Sequence, residues 1–361
     1  RLSMLQKIAI AGSGVSGSNL AAWLAKSNYP AQADVYDPQL DYQKPCGNIL
    51  LPEAIEYLAV KPEVTNFIEE YEVWVNNKKV VSFSMDKNSS WMVIDKEKLV
   101  SSLREAWIHK YSFIRKPVDP YEIRSDYGLV IDSRGPFSSN ALRKILVARG
   151  IFEPKRDIED RIILNFDTVN IGLSWIFPYR DKLNIGYGAL KAQNPVERLK
   201  SFVESTGMGV FDKSAVRTSL LTIDYPLSRA IEGNVVRIGE ALGLVLALGG
   251  EGNRLAIMSS KILADIIIHN ENLDVYKKRL RRLFRETVKQ GFVLKLLSSI
   301  NDYKAIENAM SNLDVGFYKK FLLGSFNLKK AFLAGLKTGV FLRGSMRLYL
   351  EFIARYLSLF I

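Results

Sequence analysis

Residues 7 to 21 read KIAIAGSGVSGSNLA. The apolar run from Lys7 to Ala11 has the make-up of a buried parallel strand, and the residues from Ser18 onward have helical composition and spacing. Three glycines sit at the joint. Gly12, Gly14 and Gly17, with Val15 and Ser16 between the last two, form G-x-G-x-x-G at a strand-to-helix turn. The first glycine of that pattern permits a tight turn, the second lets a pyrophosphate approach the backbone, and the third lets helix and strand pack closely. The helix N-terminus then presents unpaired N–H groups and a partial positive charge to the phosphates. The next apolar stretch, ADVYD, ends in Asp37, twenty residues past Gly17 and placed to accept hydrogen bonds from an adenosine ribose. An acid there disfavours NADP and leaves FAD or NAD.

The rest of the composition narrows the class. A chain of 361 residues accommodates two domains or one large composite, and its 48% apolar content is ample for a core. Cys46 is the single cysteine, which excludes an internal disulfide and a cysteine-rich zinc site. The two histidines, His109 and His269, lie in unrelated contexts, so no metal site is expected. A net charge of +12 implies an anionic partner. No basic run is interleaved with aromatics as in a nucleic-acid module, so a membrane surface is the expected partner and nucleic acid is not. A strand so near the start leaves no room for a leader, and a cytoplasmic chain, peripheral on the inner face of the membrane, is the expectation.

Strand-like and helical stretches alternate along the chain. Residues 71 to 85 read as two strands around Asn76-Asn77, and residues 91 to 110 begin extended and become helical. YGLVIDSRGPFSS, from residue 127, is a second buried strand running into a turn. Residues 160 to 190 carry the pattern of an antiparallel meander. Residues 234 to 268 give strand, glycine-rich loop and long helix, and the chain from 271 onward is helical, basic and apolar. The expected fold is an α/β (α+β composite) one. A discontinuous Rossmann-type cofactor domain (1–50, 86–150, 222–270) is threaded through an antiparallel-sheet substrate domain (51–85, 151–221), with a C-terminal helical, membrane-proximal region (271–361).

Four segments, in order, resemble the geranylgeranyl reductase family of FAD-dependent enzymes, which have the aromatic-hydroxylase type of flavoprotein fold. They are GSGVSG; KPCG, Lys44 to Gly47; SWIFP, Ser174 to Pro178; and IGEALGLVLALGGEGNRLA from Ile238. The departures are Glu240 for the family's aspartate, Leu173 for the tyrosine before SWIFP, Lys96 for an arginine, and Arg134 for the second acid of a pattern whose first acid is Asp132. The resemblance implies FAD as the cofactor. It implies cofactor contacts at the first glycine turn and at Asp37, Lys44, Cys46, Gly47, Lys96, Asp132, Gly239, Glu240, Gly249, Gly250, Gly252 and Asn253. It also implies a substrate wall at Leu173, Trp175, Phe177 and Pro178, with Cys46 and Gly47 as the catalytic segment.

Hydrogenating an isolated alkene needs a hydride donor, a proton donor and a dry cavity. Trp175 and Phe177 alternate with Ser174 and Ile176, so one pair faces a cavity and the other the sheet. The glycines at 249, 250 and 252 place a helix N-terminus where it can face a flavin carbonyl. Cys46 can donate a proton or shield the ring. The implied activity is saturation of C=C bonds in isoprenoid chains of a membrane lipid, such as an archaeal-type lipid, or of a quinone. The alternatives are a flavin monooxygenase or halogenase on the same fold, and a non-catalytic prenyl-lipid-binding protein. With no second dinucleotide fingerprint and no iron–sulfur cysteine set, electrons must come from outside, from a ferredoxin-like protein or docked NAD(P)H. Near the C-terminus Arg343, Arg347, Glu351 and Arg355 recur every four residues, and this charged stripe is expected to face lipid headgroups.

Overall fold

A computed structural model of the chain describes residues 7–339 and 346–358. The opening turn nucleates a six-stranded sheet made of β1 (Lys7–Ala11), β2 (Gln32–Tyr36), β8 (Ser112–Ile114), β9 (Leu129–Asp132), β15 (Ile231–Glu232) and β16 (Val235–Arg237). Its spatial order is β15-β16-β9-β1-β2-β8, and every pair except β15 with β16 is parallel. Such strands are covered on both faces, which is why Ile8 to Ala11 form an uninterrupted apolar run with no exposed surface. Two helices far apart in sequence, α1 (Val15–Lys26) and α5 (Asn253–Ile268), pack against each other beside this sheet. The Asn19 amide fastens them, donating to Ser260 Oγ at 2.8 Å and to the Tyr57 carbonyl at 3.0 Å.

A seven-stranded sheet holds β5 (Glu70–Val75), β6 (Lys78–Ser84), β10 (Lys144–Phe152), β11 (Arg161–Asp167), β12 (Gly172–Tyr179), β13 (Lys182–Ala189) and β14 (Val216–Thr222), in the order β14-β10-β13-β12-β11-β5-β6. The meander expected over 160 to 190 is β11-β12-β13, antiparallel throughout. The hairpin of β5 and β6 turns on Asn76 and Asn77, both left-handed with φ of 48° and 64°, the conformation that a two-residue hairpin asks of asparagine. Since β10 starts at Lys144, residues 144–150, assigned from sequence to the cofactor unit, belong to this sheet. A small third sheet of β3 (Ile49–Leu50), β4 (Val64–Phe67) and β7 (Met92–Ile94) lies against β12 and α5. The remaining helices before residue 271 are α2 (Lys96–Glu105), α3 (Pro120–Ile123) and α4 (Pro195–Thr206).

From residue 274 the chain is helical: α6 (Asp274–Ser298), α7 (Tyr303–Ser311), α8 (Val315–Leu322), α9 (Leu328–Lys337) and α10 (Met346–Leu357). The long α6 packs on α5 and carries α10 on its other side, where Phe352 stacks on Phe292 with ring centres 4.5 Å apart. This corrects the expected orientation of the charged stripe. Glu351 turns inward to Lys295 at 3.3 Å, and the Arg355 guanidinium lies 4.6 Å from the centre of the Tyr225 ring. Only Arg347 of the described members is exposed; Arg343 lies outside the described residues. The large side chains that α10 turns outward beside Arg347 are apolar: Met346, Leu350, Ile353 and Leu357.

Candidate active site

The three glycines divide their labour. A Cβ on Gly12, where φ is +97°, would lie 2.5 Å from the Ser133 carbonyl oxygen, and one on Gly17 would lie 1.9 Å from the Gly12 carbonyl oxygen. Those two are packing glycines, and Gly17 stays outside the cavity wall. Gly14 differs, because a Cβ there would meet nothing nearer than the Tyr42 ring at 3.6 Å. It opens, with Val15 and Ser16, onto a large cavity. Gly14 also caps α1 with no side chain bonded to the helix end and no acid in the first turn, so the first N–H groups are left for an anion. Asp37 closes this end: Ser13 N–H and Oγ–H donate to its Oδ2 at 2.7 and 2.9 Å, and Gln39 N–H donates to Oδ1 at 2.9 Å. Arg104, which the sequence reading missed, reaches the same carboxylate at 3.7 Å and donates to the Ser13 carbonyl. The cradle fits a dinucleotide.

In the middle of the cavity Lys44 and Glu240 are ion-paired at 2.5 Å, and the second Glu240 oxygen accepts the Thr222 N–H at 2.8 Å. The longer side chain that replaces the family's aspartate therefore spends both oxygens on the protein while still lining the cavity. Gly249, Gly250, Gly252 and Asn253 line it too, at the start of α5. Gly239 does not line the cavity; its φ of +58° and its contacts with Ser16 and Ala256 make it a packing turn. Asp132, expected among the cofactor contacts, is fully buried outside the cavity wall. Its carboxylate accepts from Arg134 at 3.0 Å through each oxygen and from Ser138 at 2.6 Å, so the arginine that breaks the family pattern has claimed it.

The loop of Cys46 meets β12 at the next stretch of wall. Leu173, Trp175 and Phe177 line the cavity, while Ser174, Ile176 and Pro178 lie on the opposite face of the strand, as alternation demands. Pro178 is therefore not part of the wall. Trp175 and Phe177 stack with centres 6.1 Å apart. A Cβ on Gly47 would come 2.8 Å from the Phe177 ring, and one on Gly186 would come 2.0 Å from the Trp175 ring. The two glycines let the aromatic pair lie flat between loop and sheet. Asn184, fully buried on β13, joins them: the Trp175 indole N–H donates to its Oδ1 at 3.1 Å, and its amide donates to the Cys46 carbonyl at 2.8 Å. A single polar residue at an inward position of the apolar strand KLNIGYGAL was the signal that could have found it.

The Cys46 sulfur accepts from the Asn48 N–H and the Asn253 amide, each at 3.4 Å. Burial alone would push the thiol up, but the Lys96 ammonium, those two donors and the Arg149 guanidinium together bring it below its ordinary value. Burial pulls Lys96 down in turn, and the Cys46 thiolate, Tyr42 and Glu240 outweigh it, so the ammonium is held above its usual range. Lys96 lines the cavity at the start of α2, packed 5.3 Å from the centre of the Tyr42 ring. Arg149 is buried on β10, and its Nε has no hydrogen-bond partner among the described residues.

Past Leu173 the cavity becomes an apolar lobe walled by Phe166 and Ile171 of the sheet side and by Leu297, Met310 and Phe321 of the C-terminal helices. The whole space measures about 1080 Å³. Ala331, Ala334 and Gly335 of α9 also line it.

A parallel sheet with a glycine-rich dinucleotide turn, interleaved with an antiparallel sheet that walls one shared cavity, is the architecture of FAD-binding Rossmann-type flavoproteins. No family model matches the chain. The resemblance carried by the four segments has a counterpart in a curated relative, the geranylgeranyl diphosphate reductase of Synechocystis, which is 20% identical over 323 residues, covering 74% of this chain and 77% of the relative. Among solved structures, a geranylgeranyl bacteriochlorophyll reductase-like protein from Thermoplasma acidophilum superposes with a TM-score of 0.69 over 91% of this chain and 95% of its own, at 14% identity. A flavin-dependent brominase superposes with a TM-score of 0.65 over 94% and 99%, at 13% identity.

Proposed function

We propose that this chain is an FAD-dependent reductase that saturates C=C bonds of isoprenoid chains on a membrane lipid or a quinone. One observation carries the reading: a single cavity takes in the dinucleotide turn, Cys46, the Trp175–Phe177 wall and an apolar lobe. Gly14 and the start of α1 would hold the pyrophosphate, Asp37 the adenosine ribose, and the start of α5 the ring end. Bound FAD, once reduced, supplies the hydride equivalent. The protein supplies position and dryness. Trp175 and Phe177 give the prenyl chain a flat wall, and the apolar lobe excludes water from the double bond. Cys46 Sγ and Lys96 Nζ are the proton-carrying atoms at the junction. Both groups line the cavity, and each shifts the other: Lys96 helps bring the thiol below its ordinary value, and Cys46 helps hold the ammonium above its own. Electrons reach the site from a separate protein of the ferredoxin type or from docked NAD(P)H.

The test is anaerobic. Purified protein loaded with FAD and reduced with dithionite is incubated with a geranylgeranyl-bearing lipid, and the product is weighed by mass spectrometry. A gain of two hydrogens per double bond is expected. Turnover that starts only when oxygen is admitted would instead support a monooxygenase or halogenase. A colourless protein that binds the lipid unchanged would support a prenyl-lipid-binding role.

A further inference from the structure

Two short helices at the end of the chain turn apolar residues to solvent. On α9 these are Phe332, Leu333 and Leu336, between 36% and 49% exposed; on α10 they are Met346, Leu350, Ile353 and Leu357, between 49% and 72% exposed. The α10 residues are spaced four, three and four apart and so form one ridge. The exposed charges on the same two helices are all positive: Lys329, Lys330 and Lys337 on α9 and Arg347 on α10. The single acid of α10, Glu351, faces inward onto Lys295. Other residues of α9, Ala331, Ala334 and Gly335, line the cavity.

We propose that the outward faces of α9 and α10 dock on an anionic lipid bilayer, and that α9 is the partition between that bilayer and the lobe. Lys330 is paired at 2.6 Å with the exposed Asp314, which leaves Lys329, Lys337 and Arg347 beside the apolar ridges. That pattern matches the boundary between acyl chains and anionic headgroups. A second copy of the chain fits them poorly. An isologous contact would set two cationic surfaces face to face, and a four-residue ridge falls well below the roughly 800 Å² per partner of a stable interface. At ten and twelve residues the helices are too short to span, and no helix among the described residues is long and apolar enough to cross a membrane. The role of α9 as partition rests on the reductase reading; the docking surface does not.

Flotation of the full chain with vesicles free of isoprenoid tests the surface. Vesicles of phosphatidylcholine and phosphatidylglycerol in equal parts should carry the protein up, and vesicles of phosphatidylcholine alone should carry much less. Leu350→Ser with Ile353→Ser and Leu357→Ser, and separately Leu333→Ser with Leu336→Ser, should each lower partitioning by about tenfold or more. These side chains are exposed and off the cavity wall, so flavin content, the unfolding midpoint and turnover of a detergent-dispersed short isoprenoid should stay as in the parent. Lys329→Glu with Lys337→Glu should weaken binding to the anionic vesicles, by less as salt rises. A parent that stays unbound at low salt would overturn the proposal, and so would serine variants that bind as the parent does. A concentration-dependent dimer dissolved by the serine substitutions would assign the ridge to a second copy instead. Vesicle binding with no isoprenoid turnover in any form would remove the reductase reading and leave the surface standing.

Discussion

Gly14 and Gly17 are three residues apart and should fail in different ways. A side chain on Gly14 points into the cavity. Gly14→Val is therefore expected to fold and to lose FAD, read as absent flavin absorbance with an unfolding midpoint close to that of the cofactor-free parent. Retained flavin at parental affinity would mean that no pyrophosphate lies over Gly14. A side chain on Gly17 collides with backbone. Gly17→Ala should cost about 1–3 kcal/mol of stability, the usual range for overpacking, and so lower the midpoint directly. At Cys46 the sign of the shift sets the pH profile. A depressed thiol is thiolate above its lowered pKa and loses that form as the pH falls through it. Alkylation by iodoacetamide should therefore persist below the ordinary thiol range, and Lys96→Met should move the profile upward. A profile unchanged by the substitution would uncouple the two groups.

The strand β12 was legible in the sequence because alternation is a property of neighbours: Trp175 and Phe177 had to share a face, and they share the cavity face. Long-range partners were not legible. Arg104 bonds to carbonyls 64 and 91 residues away, and nothing in the residues around it announces them. The α10 stripe shows the same limit. Periodicity shows which residues share a face but not which way that face looks, and here the outcome was decided by Lys295, 56 residues upstream of Glu351. Asn184 is where β13 meets the Cys46 loop. Asn184→Leu should cost about 1–3 kcal/mol by leaving the Trp175 indole and the Cys46 carbonyl without partners. Trp175→Ala should keep its flavin and slow alkene reduction on the order of a hundredfold, since a wall displaced by about 1 Å has that effect. Loss of flavin and fold together in that variant would make Trp175 a core residue.

At the scale of the molecule, the cavity belongs to no single unit. Its walls come from the first glycine turn, the Cys46 loop, five strands of the seven-stranded sheet (β10 to β14), the start of α5 and the inner faces of α6 to α9. A ligand that fills such a space ties those parts together, so FAD at a hundred times its dissociation constant should add about 2.7 kcal/mol to stability. The Gly14→Val variant should show no such gain. The most direct test of the central claim follows the colour of the bound flavin. Protein reduced to the bleached state without oxygen is mixed with a geranylgeranyl lipid and its absorbance is followed. The yellow of oxidised flavin should return as the alkene is saturated, with one flavin reoxidised per double bond lost. Flavin that stays bleached with the lipid, and reoxidises only when air is let in, would contradict it.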